Sequence, residues 1–460
     1  MTQAIRKNGK VGTNLTEGPI LSTLLTFAGP IVLANLVQQL YSMVDLAVIG
    51  RFAGNAGTSG VSVGSEIADL IMPLAMGFSS AGQIFIAQLM GAKDEKRMKE
   101  TVGTLLSFML LISVILAAGT IVFVDPILGM LNCPAEALGQ ARAYMIITAM
   151  GTPFVFGYNA VCAVLRGMGE SKKPLLFVCI AASVNVVLDL LLVVVIPLEA
   201  AGTAVATTAS QLGSFASAFY FLWKKREKFD FELKFSYFKL RPPILSVILK
   251  LGIPQVVRST LVRASMLWVN TSVNAYDDIV VSNTNYVGTK LQKFLEVFMQ
   301  GVDAASAAMI GQNLGAKKTD RAGKVVLYTL SCTLVCATAS SALCLFMPKE
   351  IFGIFTRDEA VKELGVTFLR IMIIHFYASS LVGAFQSMVT GCGFVELGFA
   401  IGILDGVLCK VGLSWLFANV FNMGYIGMFW GVACSRILPG ILCGAYYFSG
   451  KWKTRKLLTE

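Results

Sequence analysis

The sequence predicts an all-α membrane protein of twelve transmembrane helices, built as two homologous six-helix lobes. Composition is the first observation behind this. Apolar residues make up 55% of 460, mean hydropathy is +0.71 and only 14% of residues are charged, against about 25% in soluble domains. The second is a run of apolar stretches long enough to cross a hydrocarbon core about 30 Å thick. The third is an internal repeat with a fixed offset of 224 residues. Pro30 returns as Pro254, Gly64 as Gly288 and Gly77 as Gly301. Gln88-Leu-Met-Gly91-Ala-Lys93 returns as Gln312-Asn-Leu-Gly315-Ala-Lys317, and Arg166-Gly-Met-Gly169 as Thr390-Gly-Cys-Gly393. A register held over some 140 residues without a gap makes two copies of one helical bundle, as in many secondary transporters.

The elements follow in order. A polar, mildly basic tail (Arg6, Lys7, Lys10) opens the chain and reads as no cleavable signal peptide. Thr16 to Leu21 reads as a short surface helix. The first lobe then carries spans near 24–50, 59–90, 102–124, 139–165, 174–196 and 201–222. The second carries spans near 244–276, 280–313, 325–347, 364–389, 397–418 and 427–449. Lengths of this kind, without alternating apolar and polar residues, predict helices rather than strands. The lobes are set at 1–222 and 244–460, joined by the basic linker 223–243. Six spans per copy is an even number, so both copies face the same way. Pro30 and Pro254 lie early in the first span of each lobe, where proline removes a backbone hydrogen bond and bends a helix. The bend is a static kink or a hinge. The matched loops 91–100 and 315–324 read as helix ends with dipole-matched lysines, or as contacts that reset lobe orientation.

A net charge of +11 invites a nucleic-acid partner, but its placement excludes one. Most Lys and Arg fall in the tail, 91–100, 166–173, 223–250, 317–324 and the C-terminus. Alternate loops keep only Arg51, Arg142, Lys349, Arg357 and Lys362. The positive-inside rule then places both termini in the cytoplasm of a cell-membrane protein. Ten cysteines are scattered without zinc spacing and read as small buried apolar residues. No phosphate-binding Walker motif and no Ser/His/Asp or metal constellation is present, so the chain reads as no enzyme and as needing no cofactor.

Ionisable side chains in hydrocarbon are costly, so each is a functional candidate. Asp45 in span 1 and Asp189 in span 5 stand in strongly apolar stretches. Tyr41 and Asn185 each lie four residues earlier on the same helical face, and Thr203 and Thr207 repeat the spacing on the next span. Such a set can share a proton, because two close carboxylates in a low dielectric resist ionising together. It can also bind Na⁺ through Asp45, Asn185, Asp189 and Thr207, or simply lock helices by hydrogen bonds. Glu66 and Asp69 read as wetted cavity or interface residues. The second lobe does not duplicate the acidic pair: Val269 and Leu413 take those positions. It carries instead Arg258, Arg263, Lys290, Lys293, Glu296, Asp303, Asp405 and Lys410. These read as internal salt bridges with snorkelling ends, or as a basic lining that accepts anionic substrate groups, with Arg258, Arg263, Lys290, Lys293 and Glu296 at a substrate cavity. His375, the single histidine, reads as a satisfied bundle residue, with a proton relay as the alternative.

Pro30, Tyr41-Ser-Met-Val-Asp45, Gln88 to Lys93, Arg166-Gly-Met-Gly169, Asn185-Val-Val-Leu-Asp189 and Gly202-Thr-Ala-Val-Ala-Thr207 together resemble the multidrug and toxic compound extrusion (MATE) family, over roughly 20–450. The resemblance implies two lobes meeting as a V around a central cavity, and export of organic cations driven by inward H⁺ or Na⁺. Asp45 looks like the span-1 coupling aspartate of the DinF-like branch, with Tyr41, Asn185, Asp189 and Thr207 networked to it and Pro30 at the bend. Other branches use an acidic residue in span 7, and Ile253 to Tyr276 has none, which favours the DinF-like or MepA-like bacterial subgroup. Four cations in spans 7 and 8 depart from a pump of cationic drugs and favour anionic or zwitterionic substrates. The expected function is therefore an ion-coupled efflux antiporter for amphipathic organic compounds, acting as a monomer in lipid. The alternative is a lipid-linked saccharide flippase of the same superfamily, against which twelve spans and the motifs argue.

Overall fold

The computed structural model describes residues 13–52, 54–224 and 237–459. The basic tail (Arg6, Lys7, Lys10) and most of the linker 223–243 lie outside the described residues. The described chain is helical and shows no strand. Twelve long helices run in order: α1 Ile20–Phe52, α2 Gly54–Ala92, α3 Glu95–Val122, α4 Leu138–Gly167, α5 Lys172–Val195 and α6 Glu199–Lys224. The second six are α7 Pro242–Asn274, α8 Ile279–Gly315, α9 Thr319–Phe346, α10 Glu359–Gly391, α11 Val395–Val420 and α12 Gly424–Phe448. Ten are long and apolar enough to cross a membrane by length and composition; α6 and α8 are the other two. Both are richer in Ser, Thr and Gln, and α8 carries two lysines. Short helices Val124–Met130 and Pro348–Gly353 follow α3 and α9 at equivalent places in the repeat.

Two compact units emerge from the contacts, and each has its own centre. In residues 33–252, α4 packs on α2, α3 and α6. In residues 15–32 and 253–460, α10 packs in the same way on α8, α9 and α12. The lobe limits 1–222 and 244–460 follow the repeat, whereas the contact units assign 15–32 to the second body and 244–252 to the first. Thus α1 passes from one unit to the other at Val32–Leu33, two residues beyond Pro30. Pro30 has no N–H to offer the Thr26 carbonyl, so the helix lacks one backbone hydrogen bond beside that boundary. The same happens to α7 at Gly252–Ile253, next to Pro254.

Residues before α1 differ from the surface helix expected over Thr16 to Leu21. Leu15 to Gly18 form a turn with Gly18 at φ 75°, and the helix begins at Ile20. Tertiary bonds hold this turn: Asn313 donates to the Leu15 carbonyl (3.1 Å), and Arg321 to the carbonyls of Glu17 (2.8 Å) and Gly18 (2.7 Å). The repeat is also kept at its turns. Lys93 and Lys317, 224 residues apart, both adopt left-handed φ of 58° where α2 and α8 end, and the following N–H groups bond back into the helix.

Candidate functional site

Asp45 from α1 and Asp189 from α5 lie side by side in the first unit, near enough that each acts on the other's charge. Asp189 is 1% exposed and Asn185, one turn before it, 2%. Thr203 on α6 is fully buried. Neither oxygen of Asp189, nor Asp45 Oδ1, Asn185 Oδ1 or Thr203 Oγ1, has a hydrogen-bond partner among the described residues. Buried polar atoms are nearly always paired. Two ionised carboxylates are both acceptors and cannot bond each other. The cluster therefore asks for a species that donates to oxygen or coordinates it: a proton shared by the two carboxyls, or a hard cation taken by oxygen ligands. Both fit the residues present. Among the described residues no group of three or more His, Cys, Asp or Glu gathers as a metal centre.

The helices deliver this arrangement through small residues. Gly202 brings the start of α6 against the end of α5, where a Cβ would stand 2.8 Å from the Leu192 carbonyl. The last residues of α5, Leu190–Val195, wind into wider π-helical turns directly after Asp189. Such turns recur at functional positions. Tyr41 is half-buried and feels the charge of Asp45. Thr207 is half-buried one turn along from Thr203, and its carbonyl accepts from Ser210 (2.8 Å).

Tyr144, on α4, is a member of this cluster that sequence reasoning missed. It is 8% exposed and lies within electrostatic reach of Asp45, Asp69, Asp189 and Tyr41. Its ring packs on Gly64, where a Cβ would stand 2.7 Å from the ring carbon. A tyrosine in an apolar span was the available signal, hidden among Met145, Ile146 and Ile147. Glu66 and Asp69 on α2 are exposed.

The second unit gathers a different set. Glu296 on α8 is 5% exposed and bonds His375 on α10. Gln292 donates to Glu296 (3.3 Å) and contacts His375 (2.8 Å), while the other ring nitrogen of His375 meets the Val432 carbonyl (3.2 Å). Arg436, also missed, sits at the centre of the web. It donates to Ser379 (2.9 Å) and lies 3.9 Å from both Glu296 and Asp405. It falls between two short helical segments of α12 and carries no periodic signal. Arg258 on α7 donates to Gln386 (3.0 Å), and its stem crosses α11 at Gly402. Lys410 on α11 is 5% exposed. Arg263 and Lys293 are exposed, and Lys290 lies 5.4 Å from the Tyr286 ring. Of the five residues assigned to a substrate cavity, Glu296 and Arg258 thus enter the buried web. Arg263 and Lys293 are exposed and Lys290 half-buried, and the Lys293 charge reaches Lys410 in the web.

Comparison with known proteins adds the family. The MatE family model matches residues 30–191 and 254–416, each match opening at one of the two repeated prolines. The chain is 25% identical over 448 residues to "Probable multidrug resistance protein YpnP" of Bacillus subtilis (strain 168), covering 97% of this chain and 99% of that protein. It is 21% identical to "Multidrug export protein MepA" of Staphylococcus aureus (strain NCTC 8325 / PS 47), covering 92% of each. Its fold superposes on a crystal structure of MATE in the bent conformation with a TM-score of 0.88 at 19% identity, over 95% of this chain and 97% of that one. An outward-facing conformation of a multidrug resistance MATE family transporter of the MOP superfamily gives 0.88 at 20% identity, over 97% and 100%.

Proposed function

Because the chain belongs to the MatE family of multidrug efflux transporters, we propose that it is a secondary antiporter that exports amphipathic organic compounds in exchange for H⁺ or Na⁺ by alternating access. It is an integral membrane protein and not an enzyme. In this reading it works as a monomer in the cytoplasmic membrane, with both termini inside. The bias of Lys and Arg toward alternate loops supports that orientation.

The observation that carries the coupling role is the all-acceptor cluster. Asp45 and Asp189 face each other in the interior of a bundle, and the oxygens around them lack donors. Two negative charges so placed repel, and one proton or one Na⁺ removes most of the repulsion. The ion enters from outside, where its concentration or potential is higher. With the charge neutralised, α1 repacks beside Pro30, and the substrate is released outward. The loaded transporter then turns inward and discharges the ion. Pro30 supports the hinge role by its position, since the contacts of α1 change unit at Val32–Leu33.

The test is ethidium export in proteoliposomes under a pH gradient and a Na⁺ gradient imposed separately, with wild type beside Asp45→Asn. The gradient that drives wild-type export names the coupling ion, and Asp45→Asn should abolish that export while the protein remains folded. Gradient-driven export that persists in Asp45→Asn would sink the coupling role of the pair.

A further inference from the structure

We infer that the second unit holds an anion-accepting site at the Lys410 ammonium, which takes a carboxylate or similar monoanionic group of an organic molecule. That the molecule is one the protein transports rests on the efflux reading above; the binding itself does not.

Lys410 is 5% exposed, yet among the described residues it makes no hydrogen bond and no ion pair. A buried ammonium without a partner carries a large desolvation cost. The enclosed oxygens of Asp303 and Asp405 are sealed from solvent, but the Lys410 nitrogen is not among the sealed atoms.

Two of the neighbouring acids, Glu296 and Asp405, already lie 3.9 Å from Arg436. Asp405 lies 3.9 Å from Arg436 and also feels Arg258. Glu296 is held by His375, Gln292 and Gln300, with Arg436 at 3.9 Å. Asp303 feels Arg436 and Glu296. Lys410 feels Asp405 and Glu296 as opposite charges, and Arg436 and Lys293 as like ones. Three acids thus face three cations in the web, with Lys293 as a fourth and His375 as a further potential charge. Cations outnumber acids in this set, with Lys410, Arg436, Arg258 and Lys293 against Asp405, Glu296 and Asp303, and an incoming anion would complete the balance.

The backbone gives independent support. Leu404–Cys409, directly before Lys410, winds as π-helical turns. The other such stretch in α11, Leu416–Val420, falls where the repeat places Leu190–Val195 of the first lobe. Leu404–Cys409 has no such counterpart: the matching residues lie in the regular helix Lys172–Asp189, with Val186 where Lys410 stands. The second lobe alone carries the extra wide turn, and it falls at its own buried lysine. Gly406 and Gly402, one and two turns earlier on α11, admit α7 closely; a Cβ at Gly406 would stand 3.2 Å from the Val262 nitrogen. That approach lays Arg258 along α11 with only the neutral Gln386 as a hydrogen-bond partner. Arg258 thus joins Lys410 among the cations whose charge acts on Asp405.

The test compares 1-pyrenebutyrate with its neutral amide by equilibrium dialysis against the full chain in lipid nanodiscs, with empty nanodiscs subtracted. Wild type should bind the carboxylate more tightly than the amide. Lys410→Met should weaken carboxylate binding roughly thirty-fold or more, as for the loss of one partner of a buried charge pair. It should leave amide affinity in place, which also reports a folded protein. Lys410→Arg should keep most of the preference. Equal binding of the two probes by wild type overturns the proposal without reference to any variant, and so does undiminished carboxylate binding in Lys410→Met. Ethidium export is measured alongside. Export without a carboxylate preference removes this site alone. A carboxylate preference without gradient-driven export of any probe leaves the site standing and removes the efflux reading.

Discussion

In the first lobe Gly64 packs against the ring of Tyr144; 224 residues on, Gly288 packs against the ring of Phe368, 2.5 Å from where its Cβ would be. Gly167 lies over the Gln83 carbonyl, and Gly391 over the Ala307 carbonyl, again at equivalent places. The packing frame is therefore common to both copies, while the charges are not. Asp45, Asn185, Asp189 and Thr203 become Val269, Cys409, Leu413 and Gly427. In the other direction Arg258, Glu296, Asp303, His375, Lys410 and Arg436 stand where the first lobe has Ala34, Met72, Ser79, Gly151, Val186 and Leu212. One frame thus serves two electrostatic designs. The first lobe concentrates acceptors that no protein group satisfies. The second joins Glu296, His375, Arg436 and Asp405 in one set of ion pairs, beside which Asp303 Oδ1 and Asp405 Oδ1 stay without a hydrogen-bond partner. Unsatisfied acceptors are costly to keep and point to an ion that comes and goes, whereas paired charges hold a structure together.

Four comparisons would break or sharpen this contrast. The largest effect is expected from Arg436→Met, which strips the shared cation from Glu296 and Asp405. Uncompensated buried charge of this kind costs about 3–5 kcal/mol, to be read as a large drop in thermal stability in detergent. A small drop would mean that the web is not structural. Next, Gly64→Ala and Gly288→Ala should each cost about 1–3 kcal/mol by overpacking. Near-equal losses in the same thermal assay would support a shared frame, and a loss in only one lobe would contradict it.

Asp189→Asn should behave in the opposite way to Arg436→Met. An amide supplies the donor that Asp45 lacks, so stability should hold or rise by about 1 kcal/mol, while gradient-driven export is lost. A strong destabilisation would assign the pair a structural role. The smallest effect is expected from Tyr144→Phe, which gives the first lobe the residue of the second. Stability should change by less than about 1 kcal/mol, with slower ion-driven export in proteoliposomes; Phe368→Tyr should leave export unaltered. Equal export by Tyr144→Phe and wild type would remove Tyr144 from the coupling cluster.

Much of the architecture was legible in the chain because membrane physics leaves few choices. Long apolar stretches must be helices where no water pairs the backbone, and a fixed offset of 224 residues declares two copies. The acidic pair was legible for the same reason, since two carboxylates stand out against Leu and Val on α1 and α5. Tyr144 and Arg436 were not, because a tyrosine or an arginine near a helix break has several ordinary uses. Only the approach of α4 to α1 and α5, or of α12 to α8 and α11, separates those uses. The turn at Leu15 to Gly18 likewise depends on Asn313 and Arg321, about 300 residues away in sequence.

The sequence by itself determined the helices, their repeat and the exchange of charges between the copies, since burial in hydrocarbon and a fixed offset act on each residue wherever its neighbours lie. Tertiary structure alone decided which charges meet. Asp45 meets Asp189 across 144 positions, Glu296 meets His375 across 79, and Lys410 feels Asp405 and Glu296 without forming an ion pair among the described residues. Pairing depends on distances of a few ångströms between separate helices, and helical periodicity along one chain carries no information about them.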